Sequence, residues 1–167
     1  MPFNRFGLRP ELLQGIQALG YASPTPVQDR ALPEALAGKD VIGSAQTGSG
    51  KTVAFTLPLL QRLLADREAE GGPGKGLRVR ALVLTPTREL ATQVERAITE
   101  LAKFSPVKCV LVIGGASYHT QTQDLKRGAE VVVATPGRLL DHIRSGTFHL
   151  RDGKGAVLDE ADRMLDM

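Results

Sequence analysis

The sequence predicts an α/β fold with three layers, in which helices cover both faces of a parallel sheet. Short apolar runs alternate with longer helical patterns after residue 39, and these runs lack the alternating polar residues of a half-exposed strand. Repetition of strand, helix and strand favours parallel pairing with right-handed crossovers. A chain of 167 residues with 42% hydrophobic residues can bury one compact core.

The predicted elements follow one another in a regular order. Two helices, at residues 10–19 and 26–37, come before the first strand. Five strands are predicted at residues 40–44, 80–85, 107–113, 130–135 and 156–159, and four helices lie between them at residues 50–64, 87–103, 118–127 and 137–144. Residues 66–78 contain a Gly-Gly-Pro-Gly run and predict a flexible surface loop, because the alternation resumes after them.

The composition indicates more about the cellular compartment of the protein than about its function. The formal charge is +3, so a nucleic-acid partner is permitted but not required. The single cysteine, Cys109, has no disulfide partner and lies in an apolar run, which indicates core filling in a reducing, cytoplasmic compartment. No run of eighteen apolar residues and no basic start followed by an apolar stretch is present, so we expect neither secretion nor membrane insertion.

The strongest local pattern lies between the first predicted strand and the helix that follows it. Glycines there let the backbone approach an anion, and the N–H groups of such a turn can bind phosphate oxygens. Lys51 would reach the outer phosphates, and the Thr52 hydroxyl would hold a magnesium ion. The predicted phosphate-binding loop consists of Ala45, Gln46, Thr47, Gly48, Ser49, Gly50, Lys51 and Thr52.

An acidic pair follows the last predicted strand. Ligands of doubly wound sheets collect at the carboxyl ends of the strands, so Asp159 should lie beside the phosphate-binding loop and contact the metal. Glu160 could orient or deprotonate the water that attacks the γ-phosphate. Alone, such a pair is more often a solvated helix start, but together with Lys51 and Thr52 it favours the catalytic interpretation.

Six ordered motifs together resemble the first RecA-like domain of the DEAD-box RNA helicases. They are the Q-motif pattern from Gly20-Tyr21 to Gln28, the loop at residues 45–52, Pro-Thr-Arg-Glu-Leu at 86–90, Gly114-Gly115, Thr-Pro-Gly-Arg at 135–138, and Asp-Glu-Ala-Asp at 159–162. The resemblance covers residues 3–167. It implies a Q-motif helical extension at residues 1–38 and a partial RecA-like ATP-binding domain at residues 39–167, which binds ATP, or ADP or AMP, with Mg²⁺.

The resemblance also implies roles for individual residues. Gln28 resembles the adenine reader, and a primary amide suits that role because it both donates and accepts hydrogen bonds. Phe3 resembles the aromatic residue that stacks on the base, whereas Phe6 is expected in the core. The residues that resemble contacts to the RNA sugar-phosphate backbone are Pro86, Thr87, Arg88, Gly114, Gly115, Thr135, Pro136, Gly137 and Arg138.

Structural alternatives stay open for several of these residues. Arg88 and Arg138 could instead pair with Glu89 or Asp141 at a helix start, and Gly114-Gly115 could be a plain turn. The three histidines, His119, His142 and His149, lack metal-ligand spacing, so we expect them at the surface without a chemical role.

Members of the resembled family continue past Asp-Glu-Ala-Asp with a strand that ends in Ser-Ala-Thr and with a second RecA-like domain that carries an arginine finger. Neither is found here, so the resemblance implies a fragment that binds nucleotide but does not unwind RNA, and it leaves the oligomeric state uncertain. The family's geometry also predicts an empty strand position between residues 40–44 and 156–159, with no direct pairing between them.

Two other functions are compatible with parts of the sequence. A phosphate-binding-loop enzyme of another class, such as a small-molecule kinase or a transport ATPase, would share residues 45–52 but would not need Gln28 or the motif at 135–138. A non-catalytic module that docks RNA or protein would not need the intact set Lys51, Thr52, Asp159 and Glu160.

Overall fold

The computed structural model describes residues 2–72, 78–151 and 153–165, and it contains a parallel sheet of four strands. The strands are β1 (Ala81–Leu84), β2 (Cys109–Val112), β3 (Val131–Ala134) and β4 (Gly155–Leu158), in the spatial order β2-β3-β1-β4. The helices are α1 (Pro10–Ala18), α2 (Pro26–Leu36), α3 (Lys51–Ala69), α4 (Arg88–Leu101), α5 (Tyr118–Arg127), α6 (Pro136–Arg144) and α7 (Ala161–Met164), after a short 3-10 helix, Pro2–Phe6. The predicted α/β class with helices on both faces is confirmed.

Helix boundaries follow local capping signals. Thr87 accepts a hydrogen bond from the N–H of Leu90 and begins α4, and Ser117 begins α5 in the same way through Thr120. The helix predicted at residues 50–64 is longer than expected, because α3 continues to Ala69 and so takes up the start of the predicted loop. Residues 73–77 of that loop lie outside the described part of the chain.

Two hydrophobic cores lie on opposite faces of the sheet. The larger core joins α1, α3 and α4 to the side chains of Val83, Val131 and Val133. The smaller core joins the other face, including Leu82 and Val132, to Leu139 of α6 and to Phe148. Alternate residues of β1 and β3 point to opposite faces, and both faces are covered by helices, so both strands are apolar throughout.

Helix α1 crosses α4 at a very short distance. A Cβ atom built on Gly15 would overlap the carbonyl oxygen of Leu101 and would lie 3.1 Å from the carbonyl carbon. Glycine is therefore required at this crossing by the neighbouring backbone.

The strand predicted at residues 40–44 is not present, and this part of the prediction is wrong. These residues have no regular secondary structure, and the side chain of Ile42 is fully exposed. A strand needs a neighbour whose N–H and C=O groups pair with its own, and no described strand lies beside residues 40–44. The apolar run is therefore left unpaired, although its composition suits a strand.

Strand β4 consequently forms an open edge of the sheet. It pairs only with β1 among the described residues and shares no ladder with residues 40–44, but because no strand forms there the predicted empty position between two strands stays a prediction. Its residues alternate between half-buried and exposed, and Leu158 is 59% exposed, so the expectation that this strand is covered on both faces is wrong.

An ion pair joins the amino end of the sheet to α3. Arg67 Nη1 donates a hydrogen bond of 2.8 Å to the almost buried Glu130 Oε1, one residue before β3. Burial raises the pKa of Glu130, while the charge and hydrogen bond of Arg67 act in the opposite direction.

Among the described residues no helix is long and apolar enough to cross a lipid bilayer.

Candidate functional site

The carboxyl ends of the four strands bring most of the predicted site residues to one edge of the sheet. Along this edge the order is Gly114 after β2, Thr135 after β3, Pro86 after β1 and Asp159 after β4. The three segments predicted to contact RNA are thus neighbours, and the acidic pair follows them. Parallel strands produce this arrangement because all their carboxyl ends point the same way.

The predicted phosphate-binding loop turns into α3 through two glycines with left-handed backbone angles. Gly48 has φ +79° and Gly50 has φ +88°, and Gly50 is the N-cap of α3. Gln46 and Thr47 are exposed, and Ala45, Lys51 and Thr52 are half-buried. An anion can therefore approach the loop from solvent and meet the first N–H groups of α3.

The Ser49 hydroxyl lies within the same loop. Its hydroxyl oxygen is buried and has no hydrogen-bond partner among the described residues. A buried polar atom without a partner is costly, and a phosphate oxygen bound by the loop would supply one. The residues present thus fit a bound phosphate group.

Gln28 contacts the loop directly through its side-chain amide. Its Oε1 accepts a hydrogen bond of 3.0 Å from the N–H of Thr25, and its Nε2 donates one of 3.1 Å to the carbonyl of Gly50. Thr25 in turn accepts from the N–H of Gln28, which completes a capping box at the start of α2. The predicted adenine reader therefore also fixes the Q-motif to the phosphate-binding loop.

The structure does not place Phe3 where a base could stack on it. Phe3 is fully buried in the larger core, and its ring centroid lies 6.2 Å from that of Phe6. Phe6, expected in the core, is only partly buried at its margin and carries Arg5 over its ring at 5.0 Å. The short 3-10 helix that contains both residues turns the first ring inward, and the sequence spacing could not reveal this.

Asp159 and Lys51 interact electrostatically although they lie 108 positions apart in the chain. Asp159 is largely buried, and its N–H donates to the carbonyl of Leu84 at 2.9 Å, which ties the end of β4 to the end of β1. Burial raises the pKa of Asp159, the charge of Lys51 lowers it, and the neighbouring Glu160 raises it. The charge of Lys51 therefore acts on the Asp159 carboxylate, although no hydrogen bond or ion pair joins the two side chains in the described part of the chain.

Glu160 adopts a left-handed conformation, with φ +52° and ψ +50°. Among the described residues no other non-glycine residue has a positive φ. Such a conformation costs about 1–3 kcal/mol and is often found at functional sites. The Glu160 carboxylate accepts a hydrogen bond of 2.9 Å from Arg163, which holds the side chain in place.

Two arginines connect the predicted RNA-binding segments. We call residues 114–116, after β2, the glycine turn. Arg88 Nη1 donates to the carbonyl of Gly114 at 3.4 Å, and Arg138 Nη1 donates to the carbonyl of Ala116 at 2.9 Å. Arg138 also lies 3.9 Å from Asp141, so the local ion pair considered from the sequence is present as well.

His142 corrects the expectation that all three histidines are at the surface. It is fully buried on the inner face of α6, whereas His119 and His149 are exposed. Its place three residues after the apolar Leu139 on one helix was the available signal, because residues separated by three share a helix face.

Few protein groups are available for a metal ion. No cluster of three or more His, Cys, Asp or Glu side chains that could hold a metal is found in the described ranges. Mg²⁺ usually keeps several waters and takes one or two protein ligands beside substrate phosphates. Thr52 and Asp159 therefore fit a magnesium ion that arrives with a nucleotide.

Comparison with known proteins identifies the family. The family model for DEAD/DEAH box helicases matches residues 25–167. The chain is 46% identical to DEAD-box ATP-dependent RNA helicase 28 of Oryza sativa subsp. japonica, 45% identical to ATP-dependent rRNA helicase RRP3 of Saccharomyces cerevisiae strain S288c and 47% identical to ATP-dependent RNA helicase DeaD of Escherichia coli K12. Each match covers 99% of this chain but only 20%, 31% and 25% of the respective relative. The chain belongs to the DEAD/DEAH box helicase family.

Proposed function

We propose that this chain is the ATP-binding and RNA-binding part of an ATP-dependent RNA helicase that couples ATP hydrolysis to the separation of RNA duplexes. The observation that carries the proposal is the glycine-rich turn into α3, where the buried Ser49 hydroxyl has no hydrogen-bond partner among the described residues and Gln28 donates to the carbonyl of Gly50. Such a loop at a helix start, with Lys51 and Thr52 in the first turn, suits the phosphates of a nucleotide triphosphate and their metal ion. The chain spans a third or less of its relatives, so duplex unwinding is proposed for the whole protein.

The proposed nucleotide is an adenine nucleotide bound with Mg²⁺. Gln28 would read the base, residues 45–50 would bind phosphates through N–H groups, and Lys51 would contact the outer phosphates. Thr52 and Asp159 would hold the magnesium ion, which supplies charge neutralisation for the β- and γ-phosphates when bound. Reading adenine requires Gln28 to exchange one of its present bonds, and its contact with Gly50 is the one nearest the loop.

Glu160 is proposed to orient or deprotonate the attacking water. Its strained backbone and its bond to Arg163 keep the carboxylate in a defined position next to Asp159. The proposal needs this bond to loosen when nucleotide binds, because a carboxylate neutralised by an arginine is a weaker base.

RNA is proposed to bind along the ends of β2, β3 and β1 through its sugar-phosphate backbone. The starts of α4 and α6 present N–H groups there, and Arg88 adds an exposed positive charge. Contacts of this kind hold RNA without reading its sequence.

We also propose a cytoplasmic setting, supported by the lone half-buried Cys109, whose pKa is raised by burial.

Titration calorimetry of the 167-residue chain with ADP, GDP and AMP in Mg²⁺ tests the nucleotide site. We expect ADP to bind more tightly than GDP. Lys51→Ala should weaken ADP far more than AMP, because the ammonium group contacts only the outer phosphates. Lys126→Ala, at an exposed lysine on α5, is the matched control. Equal affinity for ADP and GDP would contradict the adenine assignment.

A second measurement separates the enzyme from a non-catalytic binding module. Transition-state charge on the γ-phosphate normally needs an arginine finger, worth about 10³ to 10⁵ in rate, and the family resemblance assigns it to a second domain. We therefore expect little or no turnover by the 167-residue chain with oligouridine RNA, and RNA-stimulated turnover when the chain is joined to such a domain. Loss of that turnover in the joined protein carrying Glu160→Gln would support the role of Glu160, and full turnover in that variant would refute it.

A further inference from the structure

A buried polar network lies behind the Thr-Pro-Gly-Arg segment. Gln121 of α5 and His142 of α6 are both buried, and their side chains meet at 3.1 Å between Gln121 Oε1 and His142 Nε2. Arg138 Nη1 also donates to Gln121 Oε1, at 3.1 Å. The other side of the network ends at Thr147, whose hydroxyl lies 2.7 Å from His142 Nδ1.

The partners fix the orientation of the Gln121 amide. Its nitrogen donates 2.8 Å to the carbonyl of Ile113, which can only accept, and its oxygen faces the guanidinium of Arg138, which can only donate. The reversed amide would place donor against donor and acceptor against acceptor. Gln121 Oε1 is therefore an acceptor toward His142 as well.

This orientation determines the tautomer of His142. Because Gln121 Oε1 accepts, His142 Nε2 must carry the proton, and in the neutral ring Nδ1 then accepts from the Thr147 hydroxyl. Along the hydrogen bonds that run from Thr147 through His142 to Gln121, each donor thus has an acceptor. All hydrogen bonds of the network can form only if His142 is neutral with its proton on Nε2, or if His142 is doubly protonated and so places a positive charge beside Arg138.

The network holds Arg138 in one position. The guanidinium donates to Ala116 and Gln121 at once and lies 5.5 Å over the ring of Tyr118. The Tyr118 ring is stacked on His142 with ring centroids 4.2 Å apart and planes only 4° from parallel. Little of the Arg138 side chain is exposed, and both hydrogen bonds of its Nη1 are directed inward.

We propose that Gln121 and His142 are positioning residues that hold Arg138 against the glycine turn, so that the glycine turn and the start of α6 form one fixed surface for RNA. This inference rests on the proposed RNA-binding function. It assigns Arg138 a role in joining two RNA-facing segments, while Arg88, which is exposed, remains the arginine that meets phosphate directly. Preformed surfaces bind more tightly because less ordering is needed on binding.

Charges around His142 favour its neutral form. Burial lowers the pKa of His142, the charge of Arg138 lowers it further, and Asp141 on the same helix opposes this, while Tyr118 faces the ring from α5. A lowered pKa in the folded state means that this contribution to stability is complete above the ordinary histidine value and is lost as pH falls below it.

Long-range ¹H–¹⁵N spectra of the histidine rings test the network. We expect His142 to remain neutral, with the proton on Nε2, at a pH just below the ordinary pKa of a histidine side chain. Gln121→Met removes the acceptor and keeps the shape, so the Nε2–H preference of His142 should weaken. A wild-type His142 with its proton on Nδ1 would overturn the inference.

RNA binding by the same proteins tests the positioning role. With a dodecauridine probe we expect Gln121→Met to bind about tenfold more weakly than wild type, as for loss of a hydrogen bond to a charged group, with ADP affinity unchanged. Gln123→Met, at an exposed position on the same helix, is the matched control. Equal RNA affinity of wild type and Gln121→Met would overturn the positioning role alone, whereas no RNA binding by wild type would overturn the RNA-binding function as well.

A second variant covers the case in which Gln121→Met does not fold. Thr147→Val removes the hydroxyl beside His142 Nδ1 at a half-buried site and keeps the side-chain shape. Because Gln121 Oε1 still accepts, the inference expects His142 to keep its proton on Nε2 and dodecauridine binding to weaken, and unchanged binding would overturn the positioning role.

Discussion

Replacing Gly50 with alanine should disrupt the contact between the Q-motif and the phosphate-binding loop. The new Cβ would lie 2.5 Å from Gln28 Nε2 and 2.9 Å from Thr25 Oγ1, so both side chains would have to move. Gly48→Ala is a matched control, because Gly48 has a similar left-handed angle but no atom within 4 Å of the added Cβ.

The two variants share one cost and differ in another. Alanine in a left-handed conformation costs about 1–2 kcal/mol at either position. Gly50→Ala additionally loses the Gln28–Gly50 hydrogen bond and disturbs the capping box, at about 1 kcal/mol each. Gly50→Ala should therefore be about 2 kcal/mol less stable than Gly48→Ala, which is roughly 4 to 8 °C in Tm for a chain of this size.

Thermal and urea unfolding without nucleotide measure this difference. A Gln28→Ala background removes one of the two displaced side chains, so the excess cost of Gly50→Ala should shrink there. Equal stability of Gly48→Ala and Gly50→Ala would refute the reasoning, because the contact with Gln28 would then contribute nothing.

Two further substitutions test the fold. Arg67→Met should destabilise the chain by about 3 kcal/mol in urea unfolding, because it leaves the buried Glu130 carboxylate without its partner. Glu130→Gln should cost much less. The wild type should lose stability as pH rises through the raised pKa of Glu130, and Glu130→Gln should not show this loss. Equal destabilisation by Arg67→Met and Glu130→Gln would contradict the reasoning. Gly15→Ala should cost about 1–3 kcal/mol through overlap with Leu101, whereas Gly137→Ala, with open space at its Cβ, should be nearly neutral; similar melting temperatures would show that α1 moves away freely.

The sequence was most informative where structure depends on local pattern. β1 and β3 are apolar throughout because both faces are covered, and the helices between them begin at recognisable caps. Residues 40–44 also contain adjacent β-branched residues, Val41 and Ile42, yet they form no strand, because pairing depends on a neighbour that no local pattern reports. Side-chain direction was also beyond reach for Phe3, whose ring is fully buried although the motif spacing predicted that it stacks on a base.

The candidate site was predictable in its residues but less so in its contacts. The motifs indicated that Arg88, Arg138 and the glycine turn belong together, and the strand order brings them together. That both arginines point at carbonyl groups of the turn depends on side-chain packing between α4, α5 and α6, which the motif spacing does not encode. The roles of these residues toward RNA and nucleotide stay predictions.

The unequal size of the two cores has a consequence for how the chain opens. Local unfolding is easiest where few apolar contacts must be broken, so the layer formed by α5 and α6 over the smaller core should exchange its amide hydrogens earlier than α3 and α4 over the larger one. Helices α5 and α6, which lie behind the glycine turn, should therefore be less protected from hydrogen exchange than α3 and α4. A bound polymer strand that stabilises only the closed form would slow exchange in α5 and α6 first, which gives a residue-level signature of occupancy without any catalytic readout.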